Sequence, residues 1–165
     1  MKILAIDPGP DSSAYVSYDT ETKAPVPYGF NKIPNKILLK AIEELEDPVK
    51  WPYGDVEYCA IEQVASYGMA VGAEIFETVY WSGIFAQAFG LDSVVRIPRK
   101  AVKIHLCGNM KAKDTNIRQA IIDRYGGKDK AIGTKKTGYG VLHGFSADTW
   151  SALAVAITAA ETVLK

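Results

Sequence analysis

Residues 2–19 constrain the fold more than any other stretch of the chain. KILAID is a short apolar run ending in a carboxylate, PGP breaks regular structure, and SSAYVSYD alternates as a strand does. Two strands joined by a tight turn form an antiparallel pair and leave Asp7 at a strand end. A third strand is expected over Val26–Phe30. The spacing of Ile37, Leu38, Ala41, Ile42 and Leu45 predicts an amphipathic helix over Asn35–Leu45, followed by the loop DPVKWPYGD. The strand Val56–Glu62 also ends in a carboxylate.

Further on, Gly72–Phe89 is apolar around much of its circumference and reads as a helix buried on more than one side, the second side covered by the core or by another subunit. A strand at Ser93–Ile97, a short basic helix at Arg99–Leu106 and a helix at Thr115–Tyr125 follow. Residues 126–144, rich in Gly and Lys, are expected to form a mobile loop. The alanine-dense stretch Ala147–Leu164, opened by Ser-Ala-Asp, is the final helix. This order implies an α/β class: a mixed sheet whose N-terminal strands are antiparallel and whose later strands are added in parallel through helical crossovers.

A length of 165 residues with 48% hydrophobic content supports one core, so residues 1–165 are expected to be a single domain. No apolar run approaches the roughly 20 residues that cross a bilayer, and MKILAIDPG has no signal-peptide cleavage pattern. The expected location is the cytoplasm. Cys59 and Cys107 lie in apolar settings outside any metal-binding spacing, and are read as reduced structural thiols. The net charge of zero hides an asymmetry: residues 96–136 carry twelve Lys/Arg against three Asp, an excess of nine positive charges balanced by the remainder. That segment is either a solvated basic face or a polyanion site.

Three acids stand where this layout can gather them: Asp7 after the first strand, Glu62 after the central strand, and Asp148 at the start of the last helix. If the two strands are neighbours, their ends lie about 5 Å apart, and the terminal helix can bring Asp148 alongside. Carboxylates that close repel one another unless a divalent cation sits between them. Oxygen ligands without thiolate suit Mg²⁺ or Mn²⁺. Two such ions about 4 Å apart would fit phosphodiester hydrolysis, with the basic segment holding the backbone. Each acid also has a simpler reading: a solvated strand end for Asp7, an edge residue for Glu62, a helix cap for Asp148.

With these residues in view, the sequence resembles the RuvC family of Holliday-junction resolvases, especially its phage-type members. KILAIDPGPDSSAYV looks like the family's first strand-turn-strand, AIEQV like the strand bearing its second acid, RIPRKAVKIHLCGNMKAKDTNIRQAI like its basic segment, and DTWSALAVAIT like its terminal helix. The resemblance implies an RNase H-like fold, a homodimer, here through the helix 72–89, and Mg²⁺-dependent cleavage of branched DNA by two ions per active site. It also implies a role in DNA recombination and repair in a bacterial or phage-infected cell. Asp7, Glu62 and Asp148 match three metal-binding acids, and the fourth would fall at Ser151. Either three acids suffice, or His143 or a water completes the shell. Lys103 matches a basic residue near the scissile phosphate, with Lys111, Lys113, Arg99 and Lys100 as further DNA-binding residues. Asp114 stands opposite the family's second lysine. Ala65 occupies the place of an aromatic that the family often carries. Tyr67 is read as a core tyrosine, with stacking on an unpaired base as the alternative.

The leading expectation is an endonuclease that nicks four-way junctions. Alternatives are a flap, fork or branched-DNA endonuclease, or a junction-binding protein whose catalysis Ser151 has impaired. The opening also resembles the phosphate hairpin of sugar-kinase and actin-like ATPases, but those need two such domains.

Overall fold

The computed structural model describes all of residues 1–165. Its central sheet has the order β3-β2-β1-β4-β5. β1 (Lys2–Asp7), β2 (Ser12–Asp19) and β3 (Ala24–Pro34) run antiparallel, whereas β4 (Tyr58–Gln63) and β5 (Val94–Pro98) are added in parallel. This is the mixed arrangement expected, and the parallel additions pass through α1 (Asn35–Glu43) and α2 (Ala73–Phe89). α3 (Arg99–Cys107), α4 (Asp114–Arg124), α5 (Lys128–Ala131), the small hairpin β6 (Gly133–Thr134) and β7 (Gly138–Tyr139), and α6 (Ala147–Thr162) complete the chain. No helix is long and apolar enough to cross a membrane.

Alternation along β1 divides the core. Ile3 and Ala5 face α6 in one apolar cluster, whereas Leu4 and Ile6 face α1 and α2 in another. α6 is buried at every position from Thr149 to Ala159 except Ser151. Its alanines allow the backbone to lie close to β1 and β2. Thr149 closes the helix start, accepting the Ser146 N–H at 2.8 Å.

Three expectations need correction. β3 runs from Ala24 to Pro34 rather than over Val26–Phe30 alone, because an edge strand tolerates Pro25 and Pro27. Within one chain α2 buries only Thr78 and Phe85, so its second side is open. Residues 126–144 contain a helical turn and a hairpin that buried Ala131 and Leu142 tie to the main core. Both cysteines are free, Cys59 buried and Cys107 half-buried.

Candidate active site

The turn after β1 is locked by side chains. Ser13 Oγ accepts the Gly9 N–H at 3.1 Å and donates to Asn35 Oδ1 at 2.6 Å, while Asn35 Nδ2 donates to the Gly9 carbonyl at 2.9 Å. A side chain at Gly9 would meet the Ser12 carbonyl oxygen at 2.4 Å, so the glycine is obligatory. Ser13 and Asn35 are both buried and satisfy each other. This network fixes the direction in which the chain leaves Asp7. Asn35 had no signal in the sequence beyond opening a helix.

Ile6 pairs with Ile61 in the parallel β1–β4 ladder, so Asp7 and Glu62 extend one residue beyond it on neighbouring strands. They continue the Ile3–Ala5 and Ala60 side of the sheet, the side covered by α6. The Asp7 and Glu62 carboxyl groups are close enough to interact directly. Burial, reinforced by the Glu62 charge, pushes the Asp7 carboxyl up to about 8. Glu62 is also raised, mainly by burial, with Arg99 opposing the shift. Arg99, the first residue of α3, points Nη1 at both Glu62 oxygens at 3.4 Å and pairs through Nη2 with Asp114.

Asp148 sits in the first turn of α6, where the helix dipole favours a carboxylate. Its charge is felt at Asp7, but its side chain is turned to Lys32 of β3 in an ion pair. The expected gathering of three acids is therefore two in contact with a third nearby, and no three acidic, histidine or cysteine side chains are grouped to hold one ion. Ser151 lines a cleft of about 250 Å³ with Arg99, Asp114, Arg118, Asp148 and Trp150. His143 lies elsewhere, its ring stacked on Tyr139 at 3.8 Å.

A second cleft of about 370 Å³ is lined by Tyr67, Arg99, Lys100, Lys103 and Met110. Arg99 belongs to both clefts. Lys111 and Lys113 are exposed on the α3–α4 connection next to Met110. Tyr67 is 65% exposed with φ of +47°, and so is not the core residue expected. Its left-handed backbone, beside Gly68, turns the ring outward. The rest of the basic segment is spread more widely: Arg118 lies over the Trp150 ring in the Asp148 cleft, Arg124 pairs with Glu161, and Lys135 and Lys136 occupy the β6–β7 turn. Lys32 was missed as a site residue because it is an isolated charge in sequence, and Asp114 because it sits in a lysine-rich stretch read as DNA-binding.

The sheet order and flanking helices define an α/β, RNase H-like fold. Among solved structures, Thermus thermophilus RuvC is similar to the chain with a TM-score of 0.65 and 19% identity, over 97% of this chain and 93% of that one. T. thermophilus RuvC in complex with Holliday junction substrate is similar with a TM-score of 0.62 and 17% identity, over the same shares. No protein-family model and no curated protein matches the sequence.

Proposed function

We propose that this protein is a metal-dependent endonuclease acting on branched DNA, with four-way junctions as its primary substrate. The observation that carries the reading is the half-buried Asp7–Glu62 pair at adjacent strand ends, joined through Arg99 to a basic cleft. Two partly desolvated carboxylates this close are costly, and active sites are where such pairs are kept. The donor set fits a hard divalent cation, Mg²⁺ or Mn²⁺: it is all oxygen, its two half-buried members repel one another when ionised, and Asp148 is neutralised by a lysine that a cation can displace. Asp7, Glu62 and Asp148 would hold the ions, two per site. Ions held there would supply Lewis-acid stabilisation of charge on the phosphate and on the leaving 3′ oxygen.

The protein's own groups bind and orient the strand. Lys100, Lys103, Lys111 and Lys113 hold phosphates, and Arg99 keeps Glu62 in place between the two clefts. Water is the nucleophile, so no covalent carrier is required. Tyr67 stacks on an unpaired base at the junction centre. The open side of α2 pairs two chains, giving a dimer that matches a two-fold junction.

A flap or fork substrate is the second reading, favoured by Ala65 and by a stacking ring displaced to Tyr67. A Mg²⁺-dependent nicking assay on synthetic junctions and flaps decides between them. Asp7→Asn keeps the shape but removes a charge, and should lower cutting by at least about a hundredfold with junction binding retained. Equal cutting by parent and variant would exclude this site, and cutting of flaps alone would exclude junction resolution.

A further inference from the structure

The edge strand β3 is interrupted where it would be easiest to pair. Val16 is opposite Phe30 and Tyr18 opposite Pro25, so residues 26–29 bulge outward across from the single residue Ser17. Tyr28, at the tip of the bulge, has φ of +60° and is 85% exposed. Pro25 and Pro27 remove backbone donors, so this edge is unsuited to receiving another strand. Facing the bulge are the end of β7 and the residues that follow it, where exposed Tyr139 stacks on His143 with the rings 3.8 Å apart and 18° from parallel. Between them lies a cleft of about 270 Å³ walled by Pro27, Tyr28, Phe30, Tyr139, Val141 and His143.

The cleft is preformed. The Gly140 N–H donates to the Ile132 carbonyl at 2.9 Å, the Leu142 N–H donates to the Ala131 carbonyl at 2.8 Å, and Leu142 is buried beneath. A side chain at Gly140 would meet the Ala131 carbonyl oxygen at 2.2 Å, so the wall is pressed against α5. At its inner end Phe30 stacks on Phe145 at 4.0 Å. Two residues along β3 from Phe30, about 7 Å, Lys32 reaches Asp148. The inner end of the cleft therefore lies two residues along β3 from the lysine that pairs with Asp148.

Its charge selects a ligand. Lys135 and Lys136 are exposed in the β6–β7 turn, Lys128 and Lys130 are exposed on α5, and Asp129 is the single acid among them. Exposed ring faces flanked by lysines are the means by which proteins hold unpaired bases with their phosphates. A proline-rich peptide also docks on aromatic rings, but it would leave the lysines without partners.

We propose that the cleft between the β3 bulge and the β7 segment stacks an unpaired nucleobase, holding a single-stranded arm next to the carboxylate site. The proposal rests on the nucleic-acid reading of that site, and the test separates the two. Fluorescence anisotropy of a labelled oligo-dT strand is measured with the full chain in EDTA, where cutting is irrelevant. Tyr28→Ala and Tyr139→Ala should each weaken binding about tenfold, while Tyr139→Phe retains it. Lys135→Ala with Lys136→Ala should flatten the log–log salt dependence by about 1.4. Because these side chains are exposed, the melting temperatures should match the parent. Parental affinity in both tyrosine variants, or no strand binding by the parent, overturns the proposal even if junctions are cut in full; the first result would leave the surface to a protein partner. Tyr139-dependent strand binding by a chain that cuts no DNA would sustain it and sink the active-site reading instead.

Discussion

The two faces of the sheet are covered by helices that look alike in sequence and behave oppositely. α6 and α2 are both long and rich in apolar residues, yet α6 is buried at nearly every position from Thr149 to Ala159, whereas α2 buries only Thr78 and Phe85. Side-chain size explains the difference. Alanines at 152, 154, 156 and 159 let α6 sink onto β1 and β2 and receive the flanks of α3 and α4. Phe76, Val79 and Tyr80 on α2 instead stand clear of the chain, 51 to 66% exposed, on one stripe that continues to exposed Gly83. The α6 face is spent on the fold, while the α2 face leaves apolar surface exposed within one chain. Asp7 and Glu62 extend the sealed face, which is why they are desolvated.

The largest effect should come from the sealed side. Leu153 is fully buried in the α6 cluster, and Leu153→Ala should cost about 2–5 kcal/mol in urea unfolding, through lost burial and the cavity left behind. A loss below about 1 kcal/mol would mean that the face is loosely packed and the contrast with α2 is false.

Next in size is the cost carried at the end of that face. The Asp7 carboxyl lies at about 8 when folded and near 3.8 when unfolded, so the folded state binds more protons in between. Its stabilising contribution is complete below about pH 4 and is lost as pH rises towards 8. Without metal, the melting temperature should fall from pH 5 to 8. Asp7→Asn should flatten that profile and raise the midpoint at pH 8 by about 3–8 °C. Added Mg²⁺ should restore the parent, which gains a ligand, and leave the variant largely unmoved. A flat profile for the metal-free parent would contradict the desolvated pair.

The contrast also marks what could be read from sequence. Apolar runs ending in carboxylates located β1, β4, Asp7 and Glu62, because strand period and strand end are local properties. Helix signals located Asp148 equally well. Contacts made across the fold were not legible: Lys32 and Arg99 were scattered charges until β3 and α3 set them against Asp148 and Glu62. Tyr67 was hidden by a left-handed backbone that a tyrosine rarely adopts. The 126–144 segment looked mobile because its glycines and lysines outnumber the few buried residues that anchor it. Apolar content alone could not separate α6 from α2, since burial depends on which neighbours the topology supplies.

The smallest expected change in folding stability is the sharpest test of that last point. If the α2 stripe serves association, Tyr80→Ala removes a ring that touches little within its own chain but lies centrally in the interface. Unfolding free energy at low protein concentration should stay within about 0.5 kcal/mol of the parent. Dimer dissociation, followed by sedimentation over a concentration series, should become at least about tenfold easier. Gly83 leaves open space for a close approach, so Gly83→Leu should weaken the dimer as well, by bulk rather than by lost contact. A parent that stays monomeric at high micromolar concentration would remove the partner from the α2 face. A Tyr80→Ala chain that unfolds more easily by over 1 kcal/mol would show the ring to be part of the fold. Only separate movement of the two measurements supports the division between a face that folds the chain and a face that pairs it.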